Sequence, residues 1–169
     1  VEGESILTVS PYSNRETTAE SGVPIFVQVG WLDAATVDGA LSRYLTLSNP
    51  QQVWIGPWSH AGNFETDPFS AVDAPVAPTQ AEQLGELVAF FDSTLKDEPA
   101  AIDSEIRYYT MNAGTWSTAE TWPPEGVEMA RWYMSDEASL TQDVPTAEEG
   151  ADSKAVDYSA TSGETTRWH

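Results

Sequence analysis

A chain of 169 residues with 27 acidic and 7 basic side chains carries a formal charge of −20 and contains no cysteine. That balance excludes nucleic-acid binding, which draws on clustered lysine and arginine, and the missing thiols exclude disulfides and cysteine nucleophiles. No apolar run approaches the roughly 20 residues a membrane-spanning helix needs, and no secretory leader pattern is visible.

Residues 1–22 hold one short apolar run at 6–9, then Ser10-Pro11 and a polar tract, and read as a loop. The run Ile-Phe-Val-Gln-Val at 25–29, bounded by Pro24 and Gly30, reads as a buried strand. Asp33 follows in a Gly-Trp-Leu-Asp turn. Val37, Leu41, Tyr44 and Leu45 then recur at amphipathic-helix spacing, until Asn49-Pro50 stops the helix. A second short run, Val53-Trp54-Ile55, ends at Gly56-Pro57, and His60 stands just beyond. The order is strand, acid, helix, strand, histidine.

Parallel strands joined by a crossover helix place both strand C-termini on one edge of the sheet, where open α/β sheets bind their ligands. Asp33 and His60 are delivered to that edge together. An acid followed by a histidine is the order in which an α/β-hydrolase supplies the last two members of its triad. Residue types alone leave Asp33 open between a triad acid and a helix N-cap, and His60 between a general base and a loop histidine.

Residues 62–78 have no usable period and read as an irregular loop at the same edge. Thr79-Gln80-Ala81-Glu82 is a capping-box signature, and Leu84, Leu87, Val88, Phe91 and Leu95 share one face of the helix that follows. Lys96 and Asp97-Glu98-Pro99 end it. After residue 103 the texture becomes β-branched and aromatic. Strands are expected at 105–111, 128–134, 139–140 and 155–158, with a turn at Asn112-Ala113-Gly114 and a loop holding Trp116 and Trp122. The division is therefore an α/β part over 1–103 and an all-β part over 104–169, with an acidic spacer around Glu148-Glu149 and Asp152.

Gly22-Val23-Pro24, Gly30-Trp31-Leu32-Asp33 and Gly56-Pro57-Trp58-Ser59-His60 resemble the Asp and His blocks of the CocE/NonD hydrolases. That family includes cocaine esterase, the α-amino acid ester hydrolases and Xaa-Pro dipeptidyl-peptidase-like enzymes. Phe90-Phe91-Asp92 and the run Ile106…Trp116…Trp122-Pro123 are also similar to it. The resemblance implies the C-terminal half of an α/β-hydrolase domain over 1–103, followed by the start of a jelly-roll (galactose-binding-like) sandwich over 104–169. It implies hydrolysis of an ester or amide by a Ser-Asp-His triad, with Asp33 as acid and His60 as base. No cofactor is implied, and the partners are a small-molecule ester or peptide substrate and the N-terminal half of the hydrolase domain.

The departure is the nucleophile. No Gly-x-Ser-x-Gly occurs, and Ser5 and Ser13 lack that setting, so the serine and oxyanion hole are expected upstream. A chain opening at Val1 in loop-like sequence reads as a piece of something longer, inactive alone. Absent cysteine suits a cytoplasmic or bacterial extracytoplasmic protein, the former slightly favoured.

Trp31, Leu32, Trp58 and Phe64 flank the expected site and either wall a substrate pocket or pack in the core. Asn63, Glu65 and Asp67 alternate like calcium ligands but lack the glycine and distal glutamate of such a loop, so no metal is expected. His169 has no role in this reading. The competing reading is a non-catalytic β-sandwich that packs against or binds another molecule.

Overall fold

The computed structural model describes residues 8, 10–71, 73–96, 102–136, 138–146, 150–151 and 153–160. The apolar run at 6–9 apart from Thr8, the helix stop at 97–99, the acidic residues Glu148, Glu149 and Asp152, and His169 lie outside them. The chain divides into two compact units between Glu125 and Gly126.

The first unit is built on a mixed sheet of four strands in the order β1-β2-β3-β4. β1 (Ile25–Gly30) and β2 (Gln51–Gly56) are parallel, as the strand-helix-strand pattern requires, and α2 (Thr36–Thr46) connects them. Strand β3 (Glu105–Thr110) pairs parallel with β2, and β4 (Thr115–Ala119) pairs antiparallel with β3. Residues 105–119, read above as the opening of an all-β part, thus hydrogen-bond into the same sheet as β1 and β2. Trp116, expected in a loop, lies within β4. The turn between them holds Asn112 and Gly114 at φ 64° and 65°, which reverses the chain tightly enough to continue pairing.

Alternation along the strands gives the sheet two different faces. Val27, Val53 and Ile106 form one row across β1, β2 and β3, and Val29, Ile55 and Tyr108 form the next. α2 covers these rows with Val37, Ala40 and Leu41. The buried Gln51 at the start of β2 donates to the carbonyls of Tyr44 and Leu47, satisfying the end of α2. The opposite face carries Phe26, Gln28, Trp54, Arg107 and Trp116. Arg107 stacks over the Trp54 ring at 4.5 Å, and Phe26 packs on Phe90 at a ring separation of 5.5 Å. Phe90 belongs to α3 (Gln80–Leu95), which opens with the expected capping box between Thr79 and Glu82.

The first 22 residues are not all loop. A 3-10 turn at Pro11–Asn14 leads into α1 (Arg15–Ser21). The Ser10 side chain accepts from Tyr12 N, Pro11 sits at the first helical position, and Gly22 closes α1 at φ 62°. Asn49 ties this helix down by donating to the carbonyls of Thr18 and Val23.

In the second unit β5 (Tyr133–Met134) pairs antiparallel with β6 (Leu140–Thr141). The strand expected at 128–134 is confined to its last two residues, because β6 offers a ladder only that long. Residues 155–158 form no strand. Asp157 instead accepts from the backbone N–H and hydroxyl of Ser159, a local turn that competes with sheet pairing.

Candidate active site

Gly30 and Gly56, the last residues of β1 and β2, are register partners. A Cβ on Gly30 would strike the Trp58 carbonyl, and one on Gly56 would strike its indole ring. The chain leaving β2 therefore folds back over the strand ends, a path open only because both ends lack side chains. The Trp58 ring is 1% exposed, donates Nε1–H to Val29 O at 3.0 Å and packs against Trp54 and Trp116. Trp58 is the anchor beneath His60.

Past Trp58 the loop closes on itself. Ser59 N donates to Phe64 O at 3.0 Å, Gly62 N to Ser59 O at 2.9 Å and Thr66 N to Pro57 O at 2.7 Å. His60 occupies the second position of the turn 59–62. On the other strand end, Asp33 N donates to Gly30 O at 3.1 Å, and Thr36 donates to Asp33 O through its N–H and its hydroxyl. The N-cap of α2 is Ala35, in the left-handed region at φ 65°. Asp33 is not the cap, so its carboxylate is directed elsewhere.

It is directed at His60. Nδ1 of His60 lies 2.7 Å from Oδ2 of Asp33. An ionised carboxylate can only accept, so Nδ1 carries the proton and Nε2 is the basic nitrogen of the neutral ring. Asp33 is 3% exposed while the His60 side chain is 41% exposed. A shielded acid thus stands behind an imidazole that reaches the surface. Such a pair can take up a proton at Nε2 and hold the resulting imidazolium.

Trp31 donates Nε1–H to Tyr109 O at 2.7 Å and packs on Trp122, so it is half-buried and fixed to β3. Leu32 and Phe64 are exposed. Asn63 accepts from the Ser59 hydroxyl, Glu65 from Asp67 N, and Asp67 from the N–H groups of Phe69 and Asn112. Glu65 and Asp67 thus hold backbone N–H groups of the loop and of Asn112. Burial pushes the Glu65 carboxyl up from its ordinary range, and burial likewise raises Tyr109, next to Asp67 and Glu65. Among the described residues no group of three or more His, Cys, Asp or Glu side chains could hold a metal ion.

Residues 6–62, which contain β1, α2, β2 and both members of the pair, match the model of the X-Pro dipeptidyl-peptidase (S15) family. The chain is also 34% identical over 171 residues to a protein of Mycobacterium bovis named "putative serine esterase". A Mycobacterium tuberculosis protein of the same description matches equally, at 34% identity. The chain is similar to CocE/NonD-like hydrolases. Those alignments cover 99% of this chain and 26% of each relative, so it spans about a quarter of the length of the curated relatives it matches.

Sequence reasoning did not single out Thr36, whose hydroxyl lies 3.3 Å from Asp33 Oδ2, or Gln28, Gln83 and Gly62, which hydrogen bonds link beside the His60 turn. The signal for Gln28 was available, as the one polar residue within an otherwise apolar strand.

Proposed function

We propose that Asp33 and His60 are the acid and base of a serine hydrolase that cleaves ester or amide bonds, acyl esters or Xaa-Pro dipeptidyl peptides among them. The observation that carries this is the 2.7 Å hydrogen bond from His60 Nδ1 to the buried Asp33. In this reading Nε2 removes the proton of a serine hydroxyl as it attacks the substrate carbonyl, then returns that proton to the leaving group. Asp33 holds the ring in the productive tautomer and stabilises the imidazolium. Water repeats the cycle on the acyl-enzyme.

The nucleophile and oxyanion donors come from polypeptide outside these residues, consistent with relatives about four times as long. Strand β1 lies at the edge of the described sheet, and the apolar stripe of Leu84, Val88, Phe91 and Leu95 on α3 is exposed. Both features support a larger hydrolase domain built around this segment. Acid and base without a nucleophile form no acyl-enzyme, so the 169 residues alone have no hydrolase activity.

The test uses the intact protein that carries this chain. It takes a fluorophosphonate label on one serine, and Asp33→Asn lowers kcat by about 10⁴-fold, the scale for reversing the tautomer in a serine triad. His60→Ala abolishes turnover and slows labelling. Full activity in His60→Ala discards the assignment.

A further inference from the structure

We propose that Gln83, on the first turn of α3, is a positioning residue that clamps the His60 turn to the strand carrying Asp33. The proposal rests on the acid-base reading of Asp33 and His60 above.

Gln83 is 5% exposed and its side-chain amide is used at both ends. Nε2 donates to Gly62 O at 2.9 Å and to Pro78 O at 2.8 Å. Oε1 accepts from Nε2 of Gln28. Gly62 is the last residue of the turn that holds His60, and Gln28 sits on β1 two residues before the strand end that leads to Asp33. One amide therefore joins three segments: the strand behind the acid, the turn behind the base, and the loop that returns to α3.

The chemistry demands this residue type. Two carbonyl oxygens converge on one nitrogen while a third group donates to the oxygen, and only a carboxamide supplies two donors and an acceptor on one plane. Leucine of similar size leaves Gly62 O, Pro78 O and the Gln28 amide without their partner. Glutamate sets a carboxylate against two carbonyls. Room is also fixed, because a Cβ on Gly62 would collide with Gln83 Oε1 and crowd Gln28 Nε2, and Gly62 stands at φ 72°.

The same geometry explains how α3 lies on the sheet. Phe90 meets Phe26 and Gln83 meets Gln28. Seven residues on the helix and two on the strand keep each partner on the same face. The apolar contact holds the helix in place, and the polar contact transmits that placement to the turn.

The readout is the tautomer of the neutral His60 ring, followed by long-range ¹H–¹⁵N NMR. The intact protein that carries this chain is used, and a His60→Gln control identifies the His60 ring signals. In the unaltered protein the Nδ1–H form dominates at His60, and Asp33→Asn converts it to Nε2–H. If Asp33→Asn leaves the ring unchanged, the acid-base reading fails and this proposal falls with it. With that reading intact, Gln83→Leu moves the ring to mostly Nε2–H, the form free imidazole side chains favour in water, while far-UV circular dichroism stays native. A folded Gln83→Leu with its Nδ1–H form intact overturns the clamp. If Gln83→Leu does not fold, Gln28→Met decides, because it cuts only the tie to β1. A tautomer shift in that variant supports the clamp, and an unshifted ring overturns it.

Discussion

Helices α2 and α3 lie against faces of the same sheet that differ in chemistry. α2 meets rows of valine and isoleucine and buries Val37, Ala40 and Leu41 against them. α3 meets the face of Phe26, Gln28 and Trp54 and buries only Phe90 and Gln83. An aliphatic face needs only to be covered, so α2 is held by area. The aromatic and amide face has specific partners, so α3 is held by the Phe26–Phe90 ring contact, the hydrogen-bonded amide of Gln83 and an ion pair from Arg107 to Glu86 at 3.8 Å. The difference teaches that helix packing on a sheet can serve stability on one side and side-chain placement on the other.

The largest test of that contrast lies inside α3, at neighbouring residues of one type. Phe90→Ala costs about 4 kcal/mol, the scale for emptying a buried phenylalanine site. Phe91→Ala, on the exposed stripe, costs less than about 1 kcal/mol in the chain taken alone, where nothing covers it. On α2, Leu41→Ala costs about 3 kcal/mol. Urea denaturation of the folded chain measures all three. Equal costs at Phe90 and Phe91 would remove the distinction between the seated and open faces of α3.

That test also marks what the amino-acid pattern can and cannot convey. Val37 and Leu41 recur at the ~3.6-residue period and do face the core, because α2 has one apolar surface to cover. In α3 the same count selects Leu84, Leu87, Val88, Phe91 and Leu95, and of these only Leu87 is not among the large exposed apolar side chains. Periodicity identifies a face without saying which surface it meets, and a glutamine adjacent to that face looks like solvent-side filler. Parallel pairing of β1 and β2 and the delivery of Asp33 and His60 to one edge were legible, since each follows from strand ends and crossover. The role of Gln83 was not, because it depends on three carbonyl and amide groups brought together from residues 28, 62 and 78. α1 was missed despite legible ends at Ser10-Pro11 and Gly22, because its interior Arg-Glu-Thr-Thr-Ala-Glu-Ser has no apolar face to count. β4 was missed for a related reason, since Trp116 reads as strand only once the turn at 112–114 has committed the chain to pair with β3.

The capping box gives a smaller contrast, since α2 begins at Ala35 with no side-chain cap while α3 begins with a complete one. Thr79→Ala removes the acceptor for Glu82 N and costs about 1 kcal/mol. Ala35→Gly on α2 acts in the opposite sense, relieving a left-handed alanine by an amount near 1 kcal/mol. Opposite signs for the two substitutions in the same urea assay are the expected result. Destabilisation by both would mean that the start of α2 is held by something other than its backbone conformation.

The smallest effect is a dependence on pH confined to α3. Hydrogen bonds from the Thr79 hydroxyl and backbone N–H hold the Glu82 carboxyl below its ordinary value. A carboxyl whose pKa is lower folded than unfolded contributes stability that is fully present above the unfolded value. That contribution is lost as pH falls through the folded one. The window therefore opens near pH ~4.3, the usual glutamate value, and extends downward. Glu82→Gln keeps an acceptor for Thr79 and removes the titrating charge. Comparing the two proteins at each pH cancels the many other carboxylates, which a scan of the native chain alone would not. The stability difference between them narrows as pH falls through that window. A difference that stays constant would mean that Glu82 serves the box through its shape and not its charge. The N-cap of α2 makes no side-chain hydrogen bond, so the contrast rests on the box at Thr79 and Glu82.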